Sequence, residues 1–464
     1  MTSSLTNGTS SSLAVRAKDG VKFGKELREK EFLFDKGFLN LNHGSFGTYP
    51  RSVRSTMRAY QDEVEARPDY FIRYKFPVLL DESREAMAKL LNTPASTLVF
   101  VPNATTGINT ILRNLTFESG DHILYFQTIY GACEKTVAYI TETTPASSVK
   151  LTYTYPVEDD WLVSAFKEKV KEVEASGGKV KVAIFDTVVS MPGVRVPFER
   201  LTAACKELGV LSCIDGAHAV GHVELDLGKL DPDFFVSNCH KYVVAACPRG
   251  CAIFHVPVRN QSLMRSTLPT SHGFEPRDSK IASPLPKSAF VDGSKSAYTS
   301  NFEFVGTIDN APYLCIPEAI KWRESIGGEE KIRQYCWTLA KEGAEHIASV
   351  LGTEILDNDT QTLTKCCLSN VRLPISVVKA QEVATKSGLN QDEVGMLVRD
   401  WLSRTLIDDY GTFIQTLFYG GSWWSRLSGQ VYLEMADFEW AAETLKAICE
   451  RADRGEWAVA QGKQ

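Results

Sequence analysis

The chain has 464 residues, a length that suits two interleaved domains, each with its own core. Its 44% hydrophobic and 23% charged content is that of an ordinary globular protein. The net charge of −6 and the lack of any Lys/Arg run argue against nucleic-acid binding, and no apolar stretch approaches the roughly 18 residues of a membrane helix.

Residues 1–14 are Ser/Thr-rich, with neither the apolar core of a signal peptide nor the arginines of a transit peptide. Residues 1–30 read as a disordered tail. The 11 cysteines are odd in number and form no CxxC pair, so neither a zinc site nor a disulfide framework is indicated. Cys205, Cys213, Cys239 and Cys251 sit in apolar runs, where a thiol behaves as a small hydrophobe. This usage points to a reducing, cytoplasmic setting.

Residues 31–54 are expected to join the smaller domain, and contain a short apolar segment that runs into a Gly-containing loop at Asn42-His43-Gly44. Pro50 opens a helix that reaches Arg67 and is closed by Pro68; a second spans about 77–91. Strand-like segments then recur at 97–102, 121–126, 149–154, 179–186, 210–215, 233–238 and 250–256, with helix-like segments between most of them. That rhythm predicts an α/β large domain over 55–305, a mainly parallel seven-stranded sheet covered by helices. Residues 264–306 are rich in Ser, Pro, Gly and Lys without clear periodicity, and are expected to cover a site or meet another subunit. Helices are expected from near Asp309 and at about 329–351. The rest reads as a smaller α+β domain (306–464), with strands near 364–373 and 428–434 and helices near 391–405 and 437–453.

Chemistry concentrates at strand ends. The run Asp233-Phe234-Phe235-Val236 stops at Ser237-Asn238-Cys239-His240-Lys241, which puts an amine at the carboxyl end of the sheet, where ligands bind in open α/β folds. Taken singly, Lys241 is more simply a surface lysine. Its company changes that reading. Asp215 closes the strand Leu211-Ser212-Cys213-Ile214, followed by Gly216-Ala217-His218. A carboxylate there suits a protonated pyridine nitrogen, though an N-cap is a serious alternative. His218 suits a cofactor's phenolic oxygen, or equally a satisfied core position. Asn103-Ala104-Thr105-Thr106-Gly107 follows a strand and opens a helix, a turn that can cradle phosphate or simply be N-capped. Together these suit an aldehyde cofactor, pyridoxal phosphate, held on the lysine as a Schiff base.

With these motifs the chain resembles the fold-type I pyridoxal-phosphate enzymes, in the class V aminotransferase and cysteine desulfurase group, over nearly everything after residue 30. The resemblance implies that Lys241 carries the cofactor and Asp215 pairs with its ring nitrogen. It places Thr105, Thr106, Ser237 and His240 around the phosphate and stacks Tyr130 on the ring. By the same resemblance Thr307 is a phosphate ligand lent by the second subunit of a homodimer, and Arg426 binds the carboxylate of a small amino-acid substrate. Asn42 and His43 are similar to substrate-side contacts; a turn is the plainer reading. No metal or membrane is implied.

Within the family, Leu41-Asn42-His43-Gly44-Ser45-Phe46-Gly47 and Ser266-Thr267-Leu268-Pro269 resemble fungal hercynylcysteine sulfoxide lyases and the LolT-like (isopenicillin N epimerase-like) enzymes of alkaloid pathways. The chain departs from the lyases at His218, where they have Gln, and in a longer loop at 242–247. It also has Tyr419-Gly420-Gly421-Ser422-Trp423-Trp424 in place of several arginines, and no cysteine near Val149-Lys150. Fewer basic residues beside Arg426, and two tryptophans, imply a less polar pocket and a changed substrate. The expectation is decarboxylative carbon–carbon bond formation at Cα, with C–S cleavage of a cysteine sulfoxide conjugate as the alternative.

Overall fold

The computed structural model describes residues 13, 15–18, 20–243, 247–277 and 295–461. It divides into two compact units, the larger made of Asn42–Trp322 with Leu356–Cys366, the smaller of Met1–Leu41, Arg323–Ile355 and Cys367–Gln464.

The larger unit is built on a seven-stranded sheet. Its strands are β1 (Leu98–Val101), β2 (Asp121–Phe126), β3 (Ser147–Leu151), β4 (Lys179–Asp186), β5 (Leu211–Asp215), β6 (Phe234–Asn238) and β7 (Ala252–His255), in spatial order β1-β7-β6-β5-β4-β2-β3. Only β7 runs antiparallel to its neighbours. β1, β6 and β7 are buried at every position, as expected of apolar strands covered on both faces. The cover comes from amphipathic helices between the strands: α3 (Ala104–Asn114), α4 (Gly131–Thr143), α5 (Asp159–Ala175) and α6 (Phe198–Leu208), preceded by α1 (Arg51–Ala66) and α2 (Phe76–Leu90). Ile108, Ile111, Ile123, Cys213, Phe234 and Val236 meet in one core. The α/β architecture and the mainly parallel sheet are as the sequence predicts.

Two local expectations change. Pro68 ends α1 but also opens a new helical turn, Pro68–Tyr70, which runs through Phe71–Lys75 into α2. Proline has no N–H to lose in a first turn, so it starts a helix as readily as it stops one. The aperiodic stretch 264–306 contains a short helix, Ala297–Glu303, whose Tyr298 and Phe302 pack on Phe254 one turn apart. Residues 278–294 of that stretch, and 244–246 of the longer loop, lie outside the described residues.

The smaller unit carries a three-stranded antiparallel sheet, β8 (Leu368–Arg372), β9 (Gln415–Tyr419) and β10 (Ser422–Ser428), with β10 central. Its long helices are α7 (Glu329–Leu351), α8 (Val394–Tyr410) and α9 (Met435–Asp453). The strand expected at 428–434 lies earlier and ends at Ser428. Val431, Tyr432 and Leu433 are fully buried yet make no ladder: Gly429 N–H donates to Cys367 O, and Val431 N–H to its neighbour's side chain, Gln430 Oε1. An apolar run signals burial, and here burial comes without a strand partner. Part of the expected tail is ordered as well. Phe23 is buried against Tyr335, and Arg28, on the helix Lys25–Glu31, pairs with Asp437. Residues 1–12 lie outside the described residues.

Candidate active site

In the larger unit Asp186, Asp215 and Lys241 stand at the carboxyl ends of β4, β5 and β6. Directly after β6 the backbone makes a π-type turn, Cys239–Val243, which carries Lys241. The Lys241 Nζ lies 3.0 Å from His218 Nε2. At that distance the amine and the imidazole nitrogen share a hydrogen bond. His218 is buried in the turn that follows β5, three residues past Asp215.

Asp215 is buried at the end of β5. Its Oδ1 accepts the Ala217 N–H at 3.0 Å and its Oδ2 the Cys133 thiol at 3.4 Å. Burial pushes its carboxyl above the ordinary carboxylate range, against the pull of these two donors and of Lys241. Beside it, at the end of β4, stands a second buried carboxyl, Asp186.

The lysine turn is held from behind by the loop that begins at Asn42. His43 is fully buried, and its Nε2 meets the Lys241 carbonyl oxygen, so that nitrogen carries the proton and donates. Gly47 lies against the His240 carbonyl so closely that no Cβ fits there. Arg249 donates to the carbonyls of Phe46 and Gly47 at 3.0 and 3.1 Å. Asn42 accepts from Ser45 Oγ at 3.0 Å within the same loop. In this geometry His43 supports the lysine turn, and Asn42 stands at the start of the loop that carries it.

The helix-start motif is partly engaged. Asn103 caps α3, its Oδ1 accepting from both Thr106 N–H and Thr106 Oγ1; Ala104 N–H donates to Asn238 Oδ1 at 2.9 Å. Thr105 is the first-turn residue whose N–H and hydroxyl these bonds leave unused. Gly107 permits the close approach of α3 to Val236 on β6, which seats this helix start beside the lysine strand. Ser237 is buried and accepts Val220 N–H at 3.4 Å. His240 stays neutral, its pKa lowered to about 4 first by burial and then by the nearby charges of Lys241 and Arg249. Tyr130 precedes α4 and is 46% exposed, three residues before Cys133. Thr307 lies on an exposed loop.

Arg426 belongs to the smaller unit, on β10. Side chains alternate along a strand, so Arg426 shares a face with Trp424, and Trp423 points the other way. The Trp423 ring is fully buried against Phe418, its Nε1 donating to Gly395 O on α8 at 3.0 Å. Trp423 is therefore core, and the expectation that it lines a pocket with Arg426 is corrected. Asp186, Cys133, Gly47 and Arg249 escaped the sequence reading. Asp186 had a legible signal, an acid closing a parallel strand just as Asp215 does; the other three had none.

The aminotransferase class-V family model matches residues 49–394, and the chain belongs to that family of enzymes. It is 38% identical over 444 residues to the L-cysteine desulfhydrase-like protein lolT1 of Epichloe uncinata, covering 93% of this chain and 96% of that one. To the hercynylcysteine sulfoxide lyase of Schizosaccharomyces pombe it is 29% identical over 427 residues, covering 92% and 98%. Its fold is similar to that of an apo cysteine desulfurase from Thermococcus onnurineus NA1, with a TM-score of 0.69 at 16% identity over 92% of this chain and 98% of that one.

Proposed function

We propose that this chain is a pyridoxal-phosphate-dependent lyase or transferase acting at Cα or Cβ of an α-amino acid. The observation that carries the reading is the Lys241 amine, held 3.0 Å from His218 Nε2 at the carboxyl edge of the sheet, with buried Asp215 on the next strand. Pyridoxal phosphate supplies an aldehyde that binds an amine and a ring that withdraws electrons from Cα.

The residues present fit that group. Lys241 is the amine that carries it. Asp215 offers a carboxylate, already oriented by Ala217 and Cys133, to a ring nitrogen. Thr105, at the positive end of α3, offers its N–H and hydroxyl to a phosphate, with Thr106, Ser237 and His240 around it. The exposed Tyr130 offers its ring as a flat apolar cover. With the cofactor bound, Lys241 would serve as the base at the substrate's Cα, and His218, 3.0 Å from its Nζ, would exchange the proton with it. Arg426 holds the substrate carboxylate by a two-pronged contact that a lysine does not reproduce. The active unit is a homodimer in which Thr307 reaches the partner's phosphate; sedimentation that shows a fully active monomer contradicts this.

For the reaction we propose decarboxylative carbon–carbon bond formation in fungal specialised metabolism. One observation supports it, the apolar Trp424 on the face of Arg426. The second reading is C–S cleavage that releases a thiol, pyruvate and ammonia. Arg426 favours it, since a carboxylate held by an arginine is kept on the substrate instead of being lost as CO₂. Incubation with hercynylcysteine sulfoxide separates the two. Our first reading expects no pyruvate from it, and CO₂ from an amino-carboxypropyl amino acid. Pyruvate formed at a rate on the order of 10 per second overturns that reading in favour of the lyase.

A further inference from the structure

Asp186 closes β4 as Asp215 closes β5, and the two residues are register partners in the parallel pair. Their side chains therefore leave the same face of the sheet. Both are buried, with 6% and 2% of their surface exposed. Two carboxyls side by side and out of water do not both ionise, so one keeps its proton.

The surroundings decide which. Asp215 receives a backbone N–H on one oxygen and a thiol on the other, and both donors stabilise a charge. Asp186 has its own backbone N–H, but among the described residues no side-chain donor bonds it. The titratable groups that face it are Asp215 from β5, Cys133 from α4 and Lys241 from the turn after β6. Burial first, and then the Asp215 charge, push Asp186 well above the carboxylate range, against the pull of the Lys241 amine.

We propose that Asp186 is a positioning residue for the Lys241 site, a neutral carboxylic acid paired with Asp215 so that the sheet edge presents one negative charge instead of two. One charge matches one protonated ring nitrogen; a second would be left buried and uncompensated. This role rests on the cofactor reading above, whereas the paired proton does not.

The test is infrared spectroscopy of the full-length protein labelled with ¹³C in its aspartate carboxyls, comparing wild type with Asp186→Asn and Asp215→Asn. At pH 7 the wild type is expected to show the C=O band of a protonated, buried aspartic acid, and Asp186→Asn to lose it. In Asp215→Asn the like charge is gone, so the band should titrate away at least about one pH unit lower than in wild type. A purely structural Asp186 would not move with Asp215. Absence of the band in wild type, its survival in Asp186→Asn, or an unchanged midpoint in Asp215→Asn each overturns the proposal. If Asp186→Asn does not fold, the comparison of wild type with Asp215→Asn still decides. Failure of the cofactor reading shows separately, as wild type without visible cofactor absorbance.

Discussion

At Gly47 the backbone adopts φ +62°, and an added Cβ would overlap the His240 carbonyl oxygen next to Lys241. Gly47→Ala thus combines left-handed strain with a clash against backbone, neither of which a rotamer change relieves. We expect it to push the lysine turn out of place, so that the purified protein retains less than a tenth of the wild-type cofactor absorbance while its circular dichroism is kept; full retention would contradict the bracing role of the 42–47 loop. At the start of α3, Thr105→Ala should weaken cofactor binding by roughly 10-fold or more, the worth of a hydrogen bond to a charged group. Thr106→Ala should weaken it less, because that hydroxyl is already engaged by Asn103. Apparent affinities from cofactor titration check the order. Legibility at this scale followed chemistry. Lys241, Asp215 and His218 were readable because strand-end residues face the ligand edge, whereas Gly47 and Arg249 act through a backbone contact across some 200 residues that no local pattern records.

At the scale of elements, β10 separates two roles that the sequence ran together. Alternation along the strand buries Trp423 under α8 and puts Arg426 with Trp424 on the opposite face. Trp423→Ala should lower stability by about 3–5 kcal/mol in denaturant unfolding, the cost of removing a fully buried indole. Arg426→Lys, which keeps the charge of a buried side chain, should cost less stability than Trp423→Ala and raise KM for the amino acid roughly 10- to 100-fold through loss of the two-pronged contact. The reverse pattern, a stability loss at Arg426 and a kinetic loss at Trp423, would contradict the assignment of faces. Most strands of the large sheet were legible as short apolar runs bounded by polar turns; β3 begins two residues before the expected 149, at the exposed Ser147 and Ser148. The 428–434 segment misled because buried apolar residues need no ladder, and the helix at 297–303 was hidden by the Ser- and Lys-rich composition around it.

Across the whole molecule, a buried histidine ties stability to pH. His255 on β7 is almost fully buried, with its pKa lowered to about 4, chiefly by burial. An unfolded chain binds that proton at about pH 6.5, so as the pH falls from about 6.5 to about 4 the unfolded state takes up protons that the folded state refuses. Stability is therefore lost across that window, by on the order of 3 kcal/mol for this residue. Asp186 works in the opposite sense: its raised pKa favours the folded state at low pH, and that contribution fades as the pH rises above the ordinary carboxylate value. Melting temperatures of wild type and His255→Gln at pH 7.5 and pH 5 check the histidine. The variant should lose less on acidification, and an equal loss would remove His255 from the account. The central claim, that this fold presents one particular lysine to an aldehyde cofactor, has a more direct test. Reduction of the purified protein with borohydride, followed by peptide mapping, should place a phosphopyridoxyl group on Lys241 and on no other lysine. A group found elsewhere, or none incorporated from added pyridoxal phosphate, would contradict it.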